Sequence, residues 1–216
     1  MKRITVGLMT AGVVLGVLTM SGCASQKTPL WNGKDFAGWK LFVPDKNVDV
    51  GTVWSVKDGV IHCKGRPNGY MRTEADYSNY KLHLEWRWVE RPSNSGVLLH
   101  MSGPDKVWPR SIECQLMSGN AGDFWLIGGT GITVDGKVKM SPGRAIRVRK
   151  KEKSSEKSVG EWNTYEIFCK GDTIRCYVNG VLQNEGTNVS EAVGKICLQS
   201  EGAPIEFRNI YVESLN

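Results

Sequence analysis

The side chains best suited to acid–base chemistry lie in the middle of the chain. Glu113 alternates with Ile112 and Cys114 in the stretch 112–116, and Gln115 shares its face. A carboxylate there can act as a general base or bind a metal ion, and a surface-exposed glutamate explains the pattern equally well. His100 is a candidate general acid, general base or metal ligand because imidazole titrates near neutrality. A structural histidine is the alternative interpretation.

A second polar group lies in residues 81–88. Four apolar residues alternate there with His83, Glu85 and Arg87, so the apolar face belongs in the core and the polar face points away from it. If the polar face lines a groove, Glu85 joins the catalytic candidates and Arg87 contacts the substrate. On the opposite side of the molecule the same residues would only be solvated.

Short β-strands must position these side chains. Alternating or β-branched apolar segments recur between Gly, Pro, Asn and Asp residues, which is typical of an antiparallel sandwich or barrel, and long helical periodicity is missing. The pair Asn179-Gly180 predicts a type I′ hairpin. The clearest predicted strands are 54–56, 60–63, 80–89, 96–101, 111–116, 164–170, 173–178, 195–199 and 205–213.

The chain contains six cysteines. A tight turn at Gly171-Asp172 would place Cys169 opposite Ile174 and Ile167 opposite Cys176. The two cysteines would then lie diagonally, roughly 7–8 Å apart, which is too far for an undistorted disulfide. We predict that the five cysteines after Cys23 are buried free thiols, and no Cys/His spacing indicates structural zinc.

The first thirty residues have the three regions of an export signal. Lys2 and Arg3 precede an apolar run over residues 6–20, and residues 20–23 (MSGC) resemble the lipobox of bacterial lipoproteins. We predict a signal peptide over 1–22, lipidation of Cys23 with a tether over 23–29, and one domain over 30–216. An ordinary secretory signal is the alternative. The expected location is the cell envelope, at the outer membrane if the host is Gram-negative, because no Asp follows Cys23.

The charge of the chain excludes one class of partner. Its 28 basic and 22 acidic side chains give a formal net charge of +6, which is too mild to indicate nucleic-acid binding. The lipid on Cys23 would make a membrane a partner of the chain.

Several motifs together resemble the 3-keto-disaccharide hydrolase domain family. They are 30–39 (LWNGKDFAGW), 94–96 (NSG), 113–115 (ECQ), 160–166 (GEWNTYE), 178–180 (VNG), 198–202 (LQSEG) and 207–210 (FRNI). The resemblance implies a concanavalin A-like jelly roll of two antiparallel sheets. It also implies cleavage of glycosides oxidised at C3, by ketone-assisted elimination and hydration. A noncatalytic carbohydrate-binding lipoprotein module is the alternative.

Strand faces and the loops around Glu113 suggest which side chains hold the sugar, with core packing as the alternative for the tryptophans and a turn-stabilising role for Gln199 and Glu201. Some relatives of this fold carry three acids as Glu-x-Asp-x-x-Glu, but residues 113–118 read ECQLMS, which argues against their two-carboxylate mechanism. A divalent metal ion could assist the reaction, although no spacing identifies its ligands. The candidate substrate contacts are Arg87, Asn94, Trp108, Arg110, Gln115, Asp123, Trp125, Gln199 and Glu201.

Overall fold

The computed structural model describes Met1 and residues 26–215, so the predicted signal peptide and Cys23 lie outside the described residues. Seventeen strands and one short 3-10 helix, Val50–Thr52, form the described chain. No helix among residues 26–215 is long and apolar enough to cross a membrane. The strands are β1 (Lys27–Pro29), β2 (Trp39–Phe42), β3 (Trp54–Lys57), β4 (Val60–Cys63), β5 (Gly69–Thr73), β6 (Tyr80–Trp88), β7 (Gly96–Ser102), β8 (Arg110–Gln115), β9 (Phe124–Ile127), β10 (Gly131–Val134), β11 (Lys137–Met140), β12 (Ile146–Val148), β13 (Asn163–Lys170), β14 (Thr173–Val178), β15 (Val181–Gly186), β16 (Lys195–Ser200) and β17 (Ile205–Ser214).

Two large antiparallel sheets make up the fold. The first has the order β15-β14-β13-β6-β17-β4-β3, with β1 also paired to β17, and the second has the order β12-β9-β8-β7-β16-β5-β2. The strands β10 and β11 form a separate hairpin. The predicted all-β sandwich is confirmed, and each of the nine predicted strands begins and ends within one residue of its prediction.

The core lies between the two sheets. On β6 the apolar residues alternate inward, so Trp86 is completely buried, and it packs against Tyr165 of β13 with ring centroids 5.3 Å apart. Ile112 and Cys114 enter the same core from β8 in the other sheet. Strand β5 was missed by sequence reasoning because it is buried on both faces and shows no alternation.

The five cysteines of the described chain are buried and free, as predicted. The register between β13 and β14 pairs Cys169 with Ile174 and Ile167 with Cys176, which confirms the predicted turn. The Cys176 thiol donates a hydrogen bond to the Tyr165 hydroxyl over 2.9 Å. Burial raises the pKa of Cys169 to about 12, so this thiol stays protonated and serves as a core side chain.

The hairpin between β14 and β15 turns at Asn179-Gly180. Both residues have positive φ angles, 49° and 80°, and Val178 pairs with Val181, so the predicted type I′ turn is confirmed.

We expect Gly180→Ala to destabilise the fold by about 1–2 kcal/mol, because a Cβ is strained at this φ. Urea unfolding of the purified domain measures the change. An unchanged free energy of unfolding would contradict the assigned turn.

Candidate active site

One pocket lies on the outer face of the seven-stranded sheet. Alternation in β8 and β9 sends Ile112 and Phe124 into the core and leaves Glu113 and Trp125 on the opposite face. The cavity measures about 300 Å³, a size at the lower end of small-molecule sites. It is lined by Asn94, Trp108, Glu113, Gln115, Trp125, Ile127, Ala145 and Glu201.

Glu113 is the buried acid of this pocket. The residue is 5 % exposed, and its Oε1 has no hydrogen-bond partner in the described chain. Burial raises the pKa of this carboxyl well above its usual range, and the nearby charge of Glu201 raises it further. This raised pKa favours the protonated form of the Glu113 carboxyl, which suits the role of a proton donor.

The absence of a side chain at Gly96 makes room for the Glu113 carboxyl. A Cβ on Gly96 would lie 2.1 Å from Glu113 Oε1 and 2.3 Å from Gln199 Oε1. The two oxygens are therefore neighbours, and Gln199 Oε1 also has no hydrogen-bond partner among residues 26–215. Two bare acceptors repel each other, whereas a proton on Glu113 allows a hydrogen bond between them.

Glu201 is the second carboxyl group of the pocket and is less buried than Glu113. Its backbone forms an isolated antiparallel bridge with Asn94. Burial raises the pKa of Glu201, while the charge of Arg66 and a hydrogen bond from Asn94 oppose that rise. The two carboxyl groups therefore have different environments, and Glu201 loses its proton more readily than Glu113.

Gln115 has a fixed amide orientation. Its Oε1 accepts hydrogen bonds from the backbone N–H groups of Leu116 and Met117, each over 2.8 Å. The residue is 4 % exposed and lines the pocket. The amide oxygen is thus occupied by the backbone, and the amide nitrogen is the group that Gln115 can offer to a ligand.

Two tryptophans form the walls of the pocket. Trp125 extends from β9 and packs on an outer-face apolar cluster that includes Leu98 and Ile127. Trp108 is 52 % exposed and comes from the loop between β7 and β8. Aromatic faces exposed beside hydrogen-bonding groups suit a ligand that has both apolar and hydroxyl surfaces.

Asp105 ties the loop that carries Trp108 to the sheet. Its carboxylate accepts hydrogen bonds from Arg72 Nε at 2.8 Å, Lys40 Nζ at 2.8 Å and the Tyr70 hydroxyl at 2.9 Å. Burial opposes ionisation, but these three hydrogen bonds hold the pKa of Asp105 well below its ordinary value. This network fixes the loop and so holds Trp108 beside the pocket. Asp105 itself does not line the pocket.

His100 does not reach the pocket, because a β-bulge reverses its direction. The register between β7 and β8 shifts after Leu99, and His100 has a φ of 52°. The ring is buried beside Tyr80, 5.7 Å between centroids, and its Nδ1 lies 2.8 Å from the Glu191 carbonyl oxygen. Burial lowers its pKa. The alternative interpretation of His100 as a structural histidine therefore fits, and His100 is removed from the catalytic candidates.

Glu85 and Arg87 lie on the other side of the sandwich. They belong to β6 of the first sheet and point away from the core, so the whole molecule separates them from Glu113. Glu85 accepts hydrogen bonds from Arg208 and Asn209, both over 2.7 Å, and Arg87 pairs with Glu206. This placement corrects the assignment of Glu85 to catalysis and of Arg87 to substrate binding.

A larger cavity of about 560 Å³ lies on that opposite side, beside β1 and β17. His83 is among its lining residues and stacks on Tyr211 with ring centroids 4.5 Å apart. No acidic side chain lines this cavity, so it lacks the acid–base groups of the smaller pocket.

Two further sequence candidates hold loops in place. Arg110 donates to Glu191 over 2.7 Å and does not line the pocket. Asp123 is 1 % exposed, accepts from the Lys150 backbone N–H over 2.8 Å and pairs with Arg147. Both residues are corrected from substrate contacts to structural residues.

Sequence reasoning missed three residues of the site. Ile127 follows Trp125 at the two-residue spacing of a strand, a signal that the sequence contains. Ala145 and Arg66 come from connections between strands, and no local pattern indicates their positions.

Among residues 26–215, no group of three or more His, Cys, Asp or Glu residues could hold a metal ion.

The sandwich is a jelly roll, the fold that solved structures of glycosyl hydrolases and carbohydrate-binding modules also have. The chain belongs to the family of 3-keto-alpha-glucoside-1,2-lyase-like domains, whose model matches residues 26–213. This match confirms the family resemblance found in the sequence. No curated protein matches the sequence.

Solved structures share the fold at low sequence identity. A candidate glycosyl hydrolase from Parabacteroides distasonis is 24 % identical with a TM-score of 0.63, covering 88 % of this chain and 94 % of its own. The beta-glucanase of Bacillus licheniformis is 14 % identical with a TM-score of 0.58, covering 91 % and 100 %. The carbohydrate-binding module CBM66 of Bacillus subtilis is 11 % identical with a TM-score of 0.56, covering 82 % and 96 %.

Proposed function

We propose that this domain cleaves glycosides whose sugar is oxidised to a ketone at C3, by elimination followed by hydration. The observation that carries the proposal is a pocket lined by two carboxyl groups in different environments, the buried Glu113 with its strongly raised pKa and the less buried Glu201. Membership of a family described by a 3-keto-alpha-glucoside 1,2-lyase supports the same substrate class.

The C3 ketone makes both steps chemically accessible. It acidifies the C2 hydrogen, so a base can remove that proton and leave the electron pair on the C3 oxygen as an enolate. When the enolate collapses, a C1–C2 double bond forms, the C3 ketone returns, and the bond from C1 to the glycosidic oxygen breaks. An acid protonates the departing oxygen. Water then adds its hydroxyl to C1 and a proton to C2, which gives the free 3-keto sugar.

The two carboxyl groups suit these two roles. Glu113 carries a proton that it can give to the departing oxygen, while Glu201 can accept the C2 proton as a carboxylate. Trp108 and Trp125 would stack against the sugar ring. A cavity of about 300 Å³ suits one terminal sugar better than a long polymer.

A noncatalytic carbohydrate-binding module is the second candidate. The aromatic walls of the pocket would serve it equally well, and one structural neighbour is a binding module. The two functions differ in turnover, because a binding module would bind the keto sugar saturably and leave its glycosidic bond intact.

The test is a turnover assay of the purified mature domain in D2O on α- and β-linked 3-keto-glucosides, beside the unoxidised glucosides. We expect release of the aglycone from a keto substrate only, with deuterium at C2 of the product in excess of an enzyme-free control. Saturable binding without turnover would favour the binding module. A parallel assay with a chelator measures whether a divalent ion takes part.

We also propose that the protein is lipid-anchored through Cys23 in the cell envelope, at the outer membrane in a Gram-negative host. The support is the MSGC sequence at residues 20–23 after a basic and apolar leader. Mass spectrometry of the mature N-terminus should find a diacylglyceryl group on Cys23, and Cys23→Ala should remove the protein from the membrane fraction. A mature N-terminus elsewhere, without lipid, would contradict the anchor.

A further inference from the structure

We infer that Gln115 is the residue that recognises the ketone, with its Nε2 donating a hydrogen bond to the C3 oxygen of the bound sugar. The inference rests on the proposed function. It names Nε2 as the atom that contacts the C3 oxygen, on which negative charge collects during the reaction. It follows from the hydrogen bonds of the pocket residues, taken one at a time.

The orientation of the Gln115 amide is set by the backbone. Oε1 accepts hydrogen bonds from Leu116 N–H and Met117 N–H, each over 2.8 Å. Turning the amide by 180° would place its NH2 group against both of these N–H donors, which is unfavourable. Nε2 is therefore the end of the amide that faces the pocket, and no hydrogen bond joins it to another residue of the described chain. A bound ligand can supply an acceptor for this donor.

The other polar groups around Gln115 have other uses. Asn94 Oδ1 is a buried acceptor with no hydrogen-bond partner in the described chain, Glu201 adds the carboxyl group that serves as the base, and the proton of Glu113 is assigned to the glycosidic oxygen. Sugar hydroxyls can donate to these oxygens. A ketone oxygen can only accept, so it would be repelled by a carboxylate and is best placed at Gln115.

The spacing along β8 fits one sugar ring. Glu113 and Gln115 are two residues apart on the same face, a separation of roughly 6–7 Å along the strand. The C3 oxygen and the glycosidic oxygen are on two carbons of one ring with only C2 between them, and the reaction needs a donor at each. Gln115 would hold the first while Glu113 protonates the second.

A hydrogen bond to the C3 oxygen strengthens as the enolate forms, because negative charge then collects on that atom. It would therefore contribute more in the transition state than in the bound substrate. Its loss should appear mainly in kcat, with a smaller change in KM.

The test variant is Gln115→Glu, which keeps an oxygen for the Leu116 and Met117 backbone groups and removes the amide donor. We expect kcat on the 3-keto-glucoside to fall about 100- to 1000-fold, as for removal of an oxyanion-hole donor. The carbonyl stretching band of a substrate labelled with ¹³C at C3 should move to lower frequency on binding wild-type protein, and this shift should be lost in the variant.

Asn94→Asp is the matched control, because it adds the same charge to the same pocket. We expect it to keep the shift of the carbonyl band, whatever it does to the rate. If Gln115→Glu keeps both the kcat and the carbonyl shift of the wild-type protein, Gln115 does not hold the ketone. If the wild-type protein cleaves no 3-keto-glycoside, the proposed function fails. The ketone contact would still be assigned to Gln115 if the carbonyl band shifts on binding to the wild-type protein and does not shift on binding to Gln115→Glu.

Discussion

Glu113→Gln should lower kcat on a 3-keto-glucoside by about 10³-fold, because it removes the proton that the departing glycosidic oxygen needs. The amide is nearly the same size as the carboxyl group, so the pocket should keep its shape. Initial rates on a 3-keto-glucoside with an alkyl aglycone, which is a poor leaving group, measure the effect. Substrates whose aglycone is a good leaving group need less protonation, and the loss should be smaller for them.

The matched control for this substitution is Glu85→Gln. Glu85 is on the outer face of the other sheet, paired with Arg208 and Asn209, so its replacement should leave turnover close to wild type. An active Glu113→Gln variant, or an inactive Glu85→Gln variant, would overturn the placement of the active site.

The same Glu113→Gln variant should be more stable than the wild-type protein at alkaline pH. The unfolded chain releases the Glu113 proton near its ordinary pKa of 4.5, whereas the folded protein keeps it to a much higher pH. The unfolded state therefore gains stability relative to the folded state as pH rises above about 4.5. A neutral amide removes this effect, so the gain in stability of the variant over the wild-type protein should be larger at pH 8 than at pH 4. Urea unfolding at the two pH values measures the difference.

Gly96→Ala should lower activity about 100-fold while changing stability little. The new Cβ would lie 2.1 Å from Glu113 Oε1 and 2.3 Å from Gln199 Oε1, so both side chains must move. Both atoms are at the ends of flexible side chains, which makes the movement inexpensive for the fold. A displacement of about 1 Å at a catalytic group is enough for a 100-fold loss.

The measurements for Gly96→Ala are kcat/KM together with thermal unfolding. Gly122→Ala provides the contrast: its Cβ would lie 2.3 Å from Gln183 Cβ, and its φ is 101°, so we expect lost stability. Full activity of Gly96→Ala would contradict a fixed position for the Glu113 carboxyl, and a large loss of stability would show that Gly96 is needed for folding instead.

The sequence predicted much of the fold because the period of two along a strand is a local property. In β6 the alternation identified the buried face containing Trp86, and in β13 and β14 it gave the pairing of Cys169 with Ile174. The Asn179-Gly180 turn was predicted because positive φ angles favour those two residue types. Strands such as β5, buried on both faces, lack the alternation on which this reasoning depends.

The candidate site was only partly predictable. Glu113, Gln115 and Trp125 were identified because each alternates with core residues on its strand, and the structure brings all three to one pocket. His100 was assigned to the wrong face because one extra residue in β7 reverses the side chains that follow it. No local pattern distinguishes a strand with that bulge from a regular one.

By itself, the sequence determined the strand positions, the polar face of β8 and the family resemblance, since each depends on residues close together or on ordered motifs. Only the tertiary structure decided that Glu85 and Glu113 lie on opposite sides of the sandwich, because sheet membership depends on pairing between distant strands. It also decided the raised pKa of Glu113, because a carboxyl group has an ordinary pKa until the folded chain removes water from around it.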